Sequence, residues 1–174
     1  MERKRFLQTI LGFLGIYTAT QLTACSTEEE GGEDIILEEN NPPPSPQITD
    51  YNELKELTAS NGLYRQGDML YLDIQNETFA PLQNVEGFIN SLDHYVLVLR
   101  TSDSTVKAFT NCCPHQGTIN RWSYSNGEFT CGNHYNSYGT SSGNIAGCSA
   151  GQTSGNLRQF QASLDRDIIT INLG

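Results

Sequence analysis

Histidine and positive charge are both scarce in this chain. Only 3 of its 174 residues are histidine, and 10 lysines and arginines stand against 20 aspartates and glutamates, for a formal net charge of −10. Such an acidic chain has no electrostatic footprint for nucleic acid or for an anionic lipid surface, and neither is expected as a charge-recognised partner. A basic partner suits it better. Long apolar runs are also missing, because the most apolar early stretch, residues 6–21, is too short and too interrupted for a stable membrane span. No internal repeat is visible, and residues 48–174 are expected to form one domain with a single core.

The chain begins with Arg3, Lys4 and Arg5, then the apolar stretch, then Leu-Thr-Ala-Cys ending at Cys25. This resembles a bacterial lipoprotein signal over residues 1–24, with cleavage before Cys25 and acylation of that cysteine. Each acyl methylene buried in the bilayer contributes roughly 0.8 kcal/mol to such an anchor. The basic start also resembles the twin-arginine export motif with Lys4 at the second arginine. Folded export allows a cofactor to be inserted in the cytoplasm, whereas unfolded export requires that it be acquired outside.

Residues 25–47 then carry Glu28, Glu29, Glu30, Glu33, Asp34, Glu38 and Glu39 with no basic residue, followed by Pro42, Pro43, Pro44 and Pro46. Like charges and polyproline geometry predict an extended tether. Its acidic start also resembles the surface-export signals of some Gram-negative lipoproteins. The expected location is the bacterial cell envelope, lipid-anchored through Cys25, on the periplasmic or cell-surface side of a membrane.

The chemistry-bearing residues sit in two short segments, Cys113 with His115 in CCPHQG and Cys131 with His134 in CGNHY, with fifteen residues between the halves. This C-x-H, C-x-x-H pattern resembles the ligand set of the Rieske iron-sulfur family. The resemblance runs by pattern over roughly residues 62–173, and most tightly over 95–138. It implies that Cys113 and Cys131 hold one iron of a 2Fe-2S cluster and His115 and His134 the other. Neutral histidines in place of thiolates make reduction easier and put such clusters at roughly −150 to +300 mV. Cysteine and histidine suit zinc as well, though structural zinc pairs are usually spaced by two to four residues rather than one. Pairing Cys112 with His115 would give C-x-x-H, and Cys113 is preferred because C-x-H fits the family.

Further matches and departures follow from the same resemblance. Tyr138, seven residues past Cys131, matches the tyrosine whose hydroxyl bonds a ligand sulfur in high-potential members, and residues 147–150 resemble the loop that covers the cluster. The disulfide of the cytochrome bc type cannot form, because Thr118 and Asn133 stand where its two cysteines would be. Gly132 replaces a proline, Tyr135 replaces a glycine, and Asn136 replaces the serine that donates to a bridging sulfur. Fewer hydrogen bonds to sulfur imply a lower potential than in those members. The five cysteines divide into two ligands, the lipid anchor and a remaining pair, Cys112 and Cys148. These lie on segments that pack together in the family, so a Cys112–Cys148 bridge is the candidate replacement, with two free thiols as the alternative.

The expected fold is all-β, with a Rieske-like antiparallel sheet or barrel as the base and a small loop-rich cluster-binding subdomain near residues 111–155. Alternation at Leu70, Leu72 and Ile74 and at Ile169, Ile171 and Leu173 reads as strands, as does the apolar run at 95–99. Ser102 to Ser104, Asn126-Gly127 and Asp165 to Asp167 read as hairpin turns, and residues 51–60 as a short helix. His94 is expected on a hairpin without a metal role, and Trp122 under the cluster subdomain.

Two functional classes compete. One is a membrane-anchored electron carrier, or a subunit of an oxidoreductase complex, passing single electrons to a c-type cytochrome or a membrane oxidoreductase. The other is a surface lipoprotein that keeps the fold as a binding or assembly module, with zinc or no metal. An enzyme acting alone fits less well. Rieske oxygenases add a catalytic domain with two histidines and a carboxylate on iron, and only His94 remains here once the ligands are assigned.

Overall fold

The computed structural model describes residues 47–174; the expected lipoprotein signal, Cys25 and nearly all of the expected tether lie outside them. Asp50 caps the first element by accepting a 2.9 Å hydrogen bond from the Glu53 N–H, which satisfies one of the orphan donors of a helix start. The helix, α1 (Tyr51–Thr58), sets Leu54 into a small cluster with Tyr71 and Ile168. Two short strands follow, β1 (Leu63–Gln66) and β2 (Met69–Asp73), then a 3₁₀ segment over Glu77–Gln83 capped by Asn76. Next come β3 (Phe88–Ser91), β4 (Val96–Ser102) and β5 (Thr105–Thr110). A three-stranded sheet, β6 (Trp122–Ser125), β7 (Glu128–Cys131) and β8 (Asn136–Gly139), precedes the last hairpin, β9 (Gln159–Asp165) and β10 (Ile168–Asn172). Among the described residues no helix is long and apolar enough to cross a membrane.

The base is a curled antiparallel sheet in the order β1-β2-β10-β9-β5-β4-β3. Its strands are short and two-sided. In β2, Leu70 and Leu72 enter the main core while Tyr71 faces α1. In β4, Val96 and Val98 enter that core while Leu97 and Leu99 turn to the opposite face, which explains the unbroken apolar run there. Tyr95 stands outside the strand, 60 % exposed in the turn before it. Of the expected turns, Asn126-Gly127 shows its chemistry most directly: both residues have positive φ, 52° and 83°, as a two-residue hairpin of the I′ kind demands.

The β6-β7-β8 sheet is an insertion between β5 and β9, and those two strands pair with each other at Ala108 with Phe160 and Phe109 with Gln159. The insertion therefore leaves and rejoins the base at one place, over the Leu97 and Leu99 face. A second core forms there from Leu97, Leu99 and Phe109 of the base and Phe129, Tyr138, Ala146 and Leu157 of the insertion. Phe129 is its hub, fully buried and in contact with Phe88, Phe109, Trp122 and Tyr124 at ring-centre distances of 5.4, 5.8, 6.3 and 4.9 Å. Trp122 also donates its indole N–H to the Asn111 carbonyl at 2.7 Å, tying the hairpin to the end of β5.

Truncating Phe129 to alanine should remove the largest contact between insertion and base. Urea unfolding of Phe129→Ala should lose about 3 to 5 kcal/mol. A loss under about 1 kcal/mol would mean that the insertion is held by its loops instead.

Candidate metal centre

Each of the two ligand segments is a tight loop closed by its own main chain. In the first, the Cys113 N–H donates to the Thr118 carbonyl at 2.9 Å and the Gly117 N–H returns to the Cys113 carbonyl at 2.8 Å. In the second, β7 ends at Cys131 and β8 begins opposite it at Asn136, and the Tyr135 N–H closes the turn on the Cys131 carbonyl at 2.8 Å. A third segment lies over the first loop. Ser149 and Ala150 donate to the carbonyls of Cys113 and Pro114 at 3.2 and 2.8 Å, and Gly151 donates to that of His115 at 3.1 Å. Cys112 and Cys148 are bonded to each other with Cα atoms 5.4 Å apart, within the usual disulfide range. The bridge joins the first loop to the third.

The donors separate into an inner and an outer pair. Cys113 and Cys131 are each 1 % exposed and are unbonded thiols. Burial first, and then the neighbouring Cys113 sulfur, push the Cys131 thiol above its ordinary value, against the Asn133 N–H and the Thr118 hydroxyl, which pull it down. Further out, half-buried His115 and exposed His134 turn their Nδ1 atoms toward each other at 3.2 Å. With one ring protonated at Nδ1 this is a hydrogen bond; with both Nδ1 atoms bare it is the separation of two ligands, since two nitrogens bonded tetrahedrally to a metal at about 2.0 to 2.1 Å stand at nearly this distance. Among the described residues no three His, Cys, Asp or Glu side chains gather around one point. A Rieske cluster asks for two thiolates on one iron and two imidazoles on the other, and two pairs of donors fit that arrangement.

Tyr138 is fully buried beneath the inner pair. Its hydroxyl lies 3.8 Å from Cys113 Sγ and donates to the Gln152 carbonyl at 2.7 Å. Burial first, and then the Cys113 sulfur, raise its pKa far above the ordinary phenol value, so it keeps its proton. A phenol has one proton to give and Gln152 O can only accept, so Tyr138 fastens the covering loop as well as touching the sulfur. Asn136 is half-buried at the start of β8; among the described residues its side chain makes no hydrogen bond to a ligand sulfur. Thr118, notable in the sequence only as an absent cysteine, supplies a hydroxyl to Cys131 instead. Gln152 contributes through its main chain, which residue identity does not advertise. His94 lies in the β3–β4 turn, with Nδ1 3.0 Å from Ser91 Oγ, and lines a cleft of about 390 Å³ with Asn61, Leu63 and Phe79.

The family model of the Rieske [2Fe-2S] domain matches residues 71–161, more than half of the chain, and this protein belongs to that family. No curated protein matches it.

The bridge and the Tyr138 bond hold the same covering loop. Replacing Cys148 with serine should cost about 2 to 5 kcal/mol of stability, the usual range for a native disulfide. It should also speed loss of bound iron on dilution into a chelator. Unchanged melting and unchanged iron release would show that the main-chain bonds suffice.

Proposed function

We propose that this chain holds one 2Fe-2S cluster through Cys113, Cys131, His115 and His134 and carries single electrons between redox proteins of a bacterial cell envelope. The observation that supports this most is the sorting of the four donors, with two thiols sealed at 1 % exposure and two imidazoles outside them with Nδ1 atoms 3.2 Å apart. When bound, the cluster supplies a one-electron couple. The protein's own residues do the rest. Leu97, Phe129 and Tyr138 keep water from the thiolate side. His134 lies at the surface, where a partner can approach it within a short distance. Thr118 and the Asn133 N–H stabilise negative charge on Cys131, and stabilising that charge favours the reduced state.

Exchanging a neutral ligand for an anionic one tests the assignment. His115→Cys should either abolish the cluster or lower its reduction potential. A variant whose potential equals the parent's would remove His115 from the ligand set, and parent protein that takes up zinc but no iron would favour the binding-module reading.

The leader and the bridge support this location. A disulfide among the described residues supports an oxidising compartment. The LTAC sequence supports acylation at Cys25, with residues 25–47 as the tether and residues 48–174 as the cluster domain. Cys25→Ser should block acylation and leave the precursor unprocessed or mislocalised. A variant that fractionates and migrates like the parent would remove the anchor from the account.

A further inference from the structure

The acidity of this chain does not extend to the surface around its metal centre. The loops that frame the two histidines, residues 114–120, 132–136 and 147–154, contain no lysine, arginine, aspartate or glutamate. Arg121 borders the second loop, accepting the Gly132 N–H on its carbonyl at 2.6 Å, and Glu128 lies at the far end of β7 from Cys131. The net charge of −10 therefore resides mainly in the tether and the base. The rim of the centre offers a partner amides, small residues and one large ring.

That ring is Tyr135, next to His134. It is 80 % exposed, the most exposed large hydrophobic side chain among the described residues, and its backbone is left-handed at φ 60°. A residue with a Cβ pays for that conformation, by about 1 kcal/mol or more, where glycine does not. The turn closed by the Tyr135 N–H on the Cys131 carbonyl sets that conformation, and Tyr95 shares it in the turn before β4 with its ring 60 % exposed. What sets Tyr135 apart is its place: an exposed ring, unburied by the fold, directly beside His134 on an uncharged rim.

The geometry points to Tyr135 as the docking residue of the electron-transfer surface. Its partner is a redox protein whose face around the exposed cofactor edge is uncharged and has a recess for an aromatic ring. The inference rests on the electron-carrier reading above. Aromatic side chains contribute much of the binding energy where they enter a desolvated pocket at the centre of an interface. With no charged side chain in the three loops and Arg121 at their edge, encounter gains little from electrostatic steering and depends weakly on salt. The overall acidity had suggested a basic partner. Its placement away from the rim argues against recognition by charge.

Two probes decide it, used with cluster-loaded full-length protein whose iron content and colour have been checked. One is a c-type cytochrome with a lysine-rich haem edge, and the other a blue copper protein with an uncharged apolar face around its exposed copper histidine. By stopped flow, the reduced protein should react faster with the copper protein once driving force is allowed for. That rate should change less than about twofold between low and high ionic strength. Tyr135→Gly should slow it about tenfold, equivalent to about 1.4 kcal/mol of docking energy. Tyr135→Phe should stay near the parent. Because glycine accepts φ 60°, Tyr135→Gly should melt at or above the parent's temperature with an unchanged visible spectrum. Parent-like rates for Tyr135→Gly would overturn the inference, as would a faster, steeply salt-dependent reaction with the cytochrome. Protein that takes up no cluster would instead sink the electron-carrier reading itself.

Discussion

Two loops with almost no regular structure have to hold four donor atoms in place, and a third loop bonded to the first is what keeps them there. Fixing a loop backbone costs roughly 1 to 2 kcal/mol per residue in lost entropy. Here that cost is met by main-chain bonds from residues 149–151 to Cys113, Pro114 and His115, by the Cys112–Cys148 bridge, and by the Tyr138 hydroxyl on Gln152. The base contributes an anchorage. Because β5 and β9 pair, the insertion has a single root, and the Phe129 cluster packs it against the Leu97 and Leu99 face.

The electrostatics of the site follow from that packing. Burial raises the cost of a thiolate at Cys131, and a metal held by thiols would release their protons on uptake. Leaving His134 exposed keeps one edge of the centre accessible. The protein thus separates an apolar wall behind the two thiols from an uncharged polar rim around the two histidines.

Much of this was legible in the sequence, for physical reasons that differ by residue. The ligand spacing pointed to the family, and the all-β class with a loop-rich insertion agrees with the fold observed. Asn126-Gly127 and Asp165 to Asp167 read as turns because their chemistry is local. The 3₁₀ segment over Glu77–Gln83 and the short strand Phe88–Ser91 were not legible, since their form depends on the Leu82 and Val98 core closing around them. Within the site, Tyr138 could be read, but its bond to Gln152 could not, because a carbonyl has no signature in sequence. Tyr135 was visible as a departure from glycine; its positive φ and exposure emerge only from the folded loop.

The central claim is that four side chains in two pairs hold two irons rather than one ion. Intact-mass spectrometry under non-denaturing conditions, on protein isolated from the envelope, tests it in a single measurement. The account predicts the mass of the processed, Cys25-acylated chain plus two irons and two sulfides, less two hydrogens for the Cys112–Cys148 bridge and two for the Cys113 and Cys131 thiols that bind as thiolates. One zinc per chain, or a metal-free chain with four alkylatable thiols at Cys112, Cys113, Cys131 and Cys148, would contradict it.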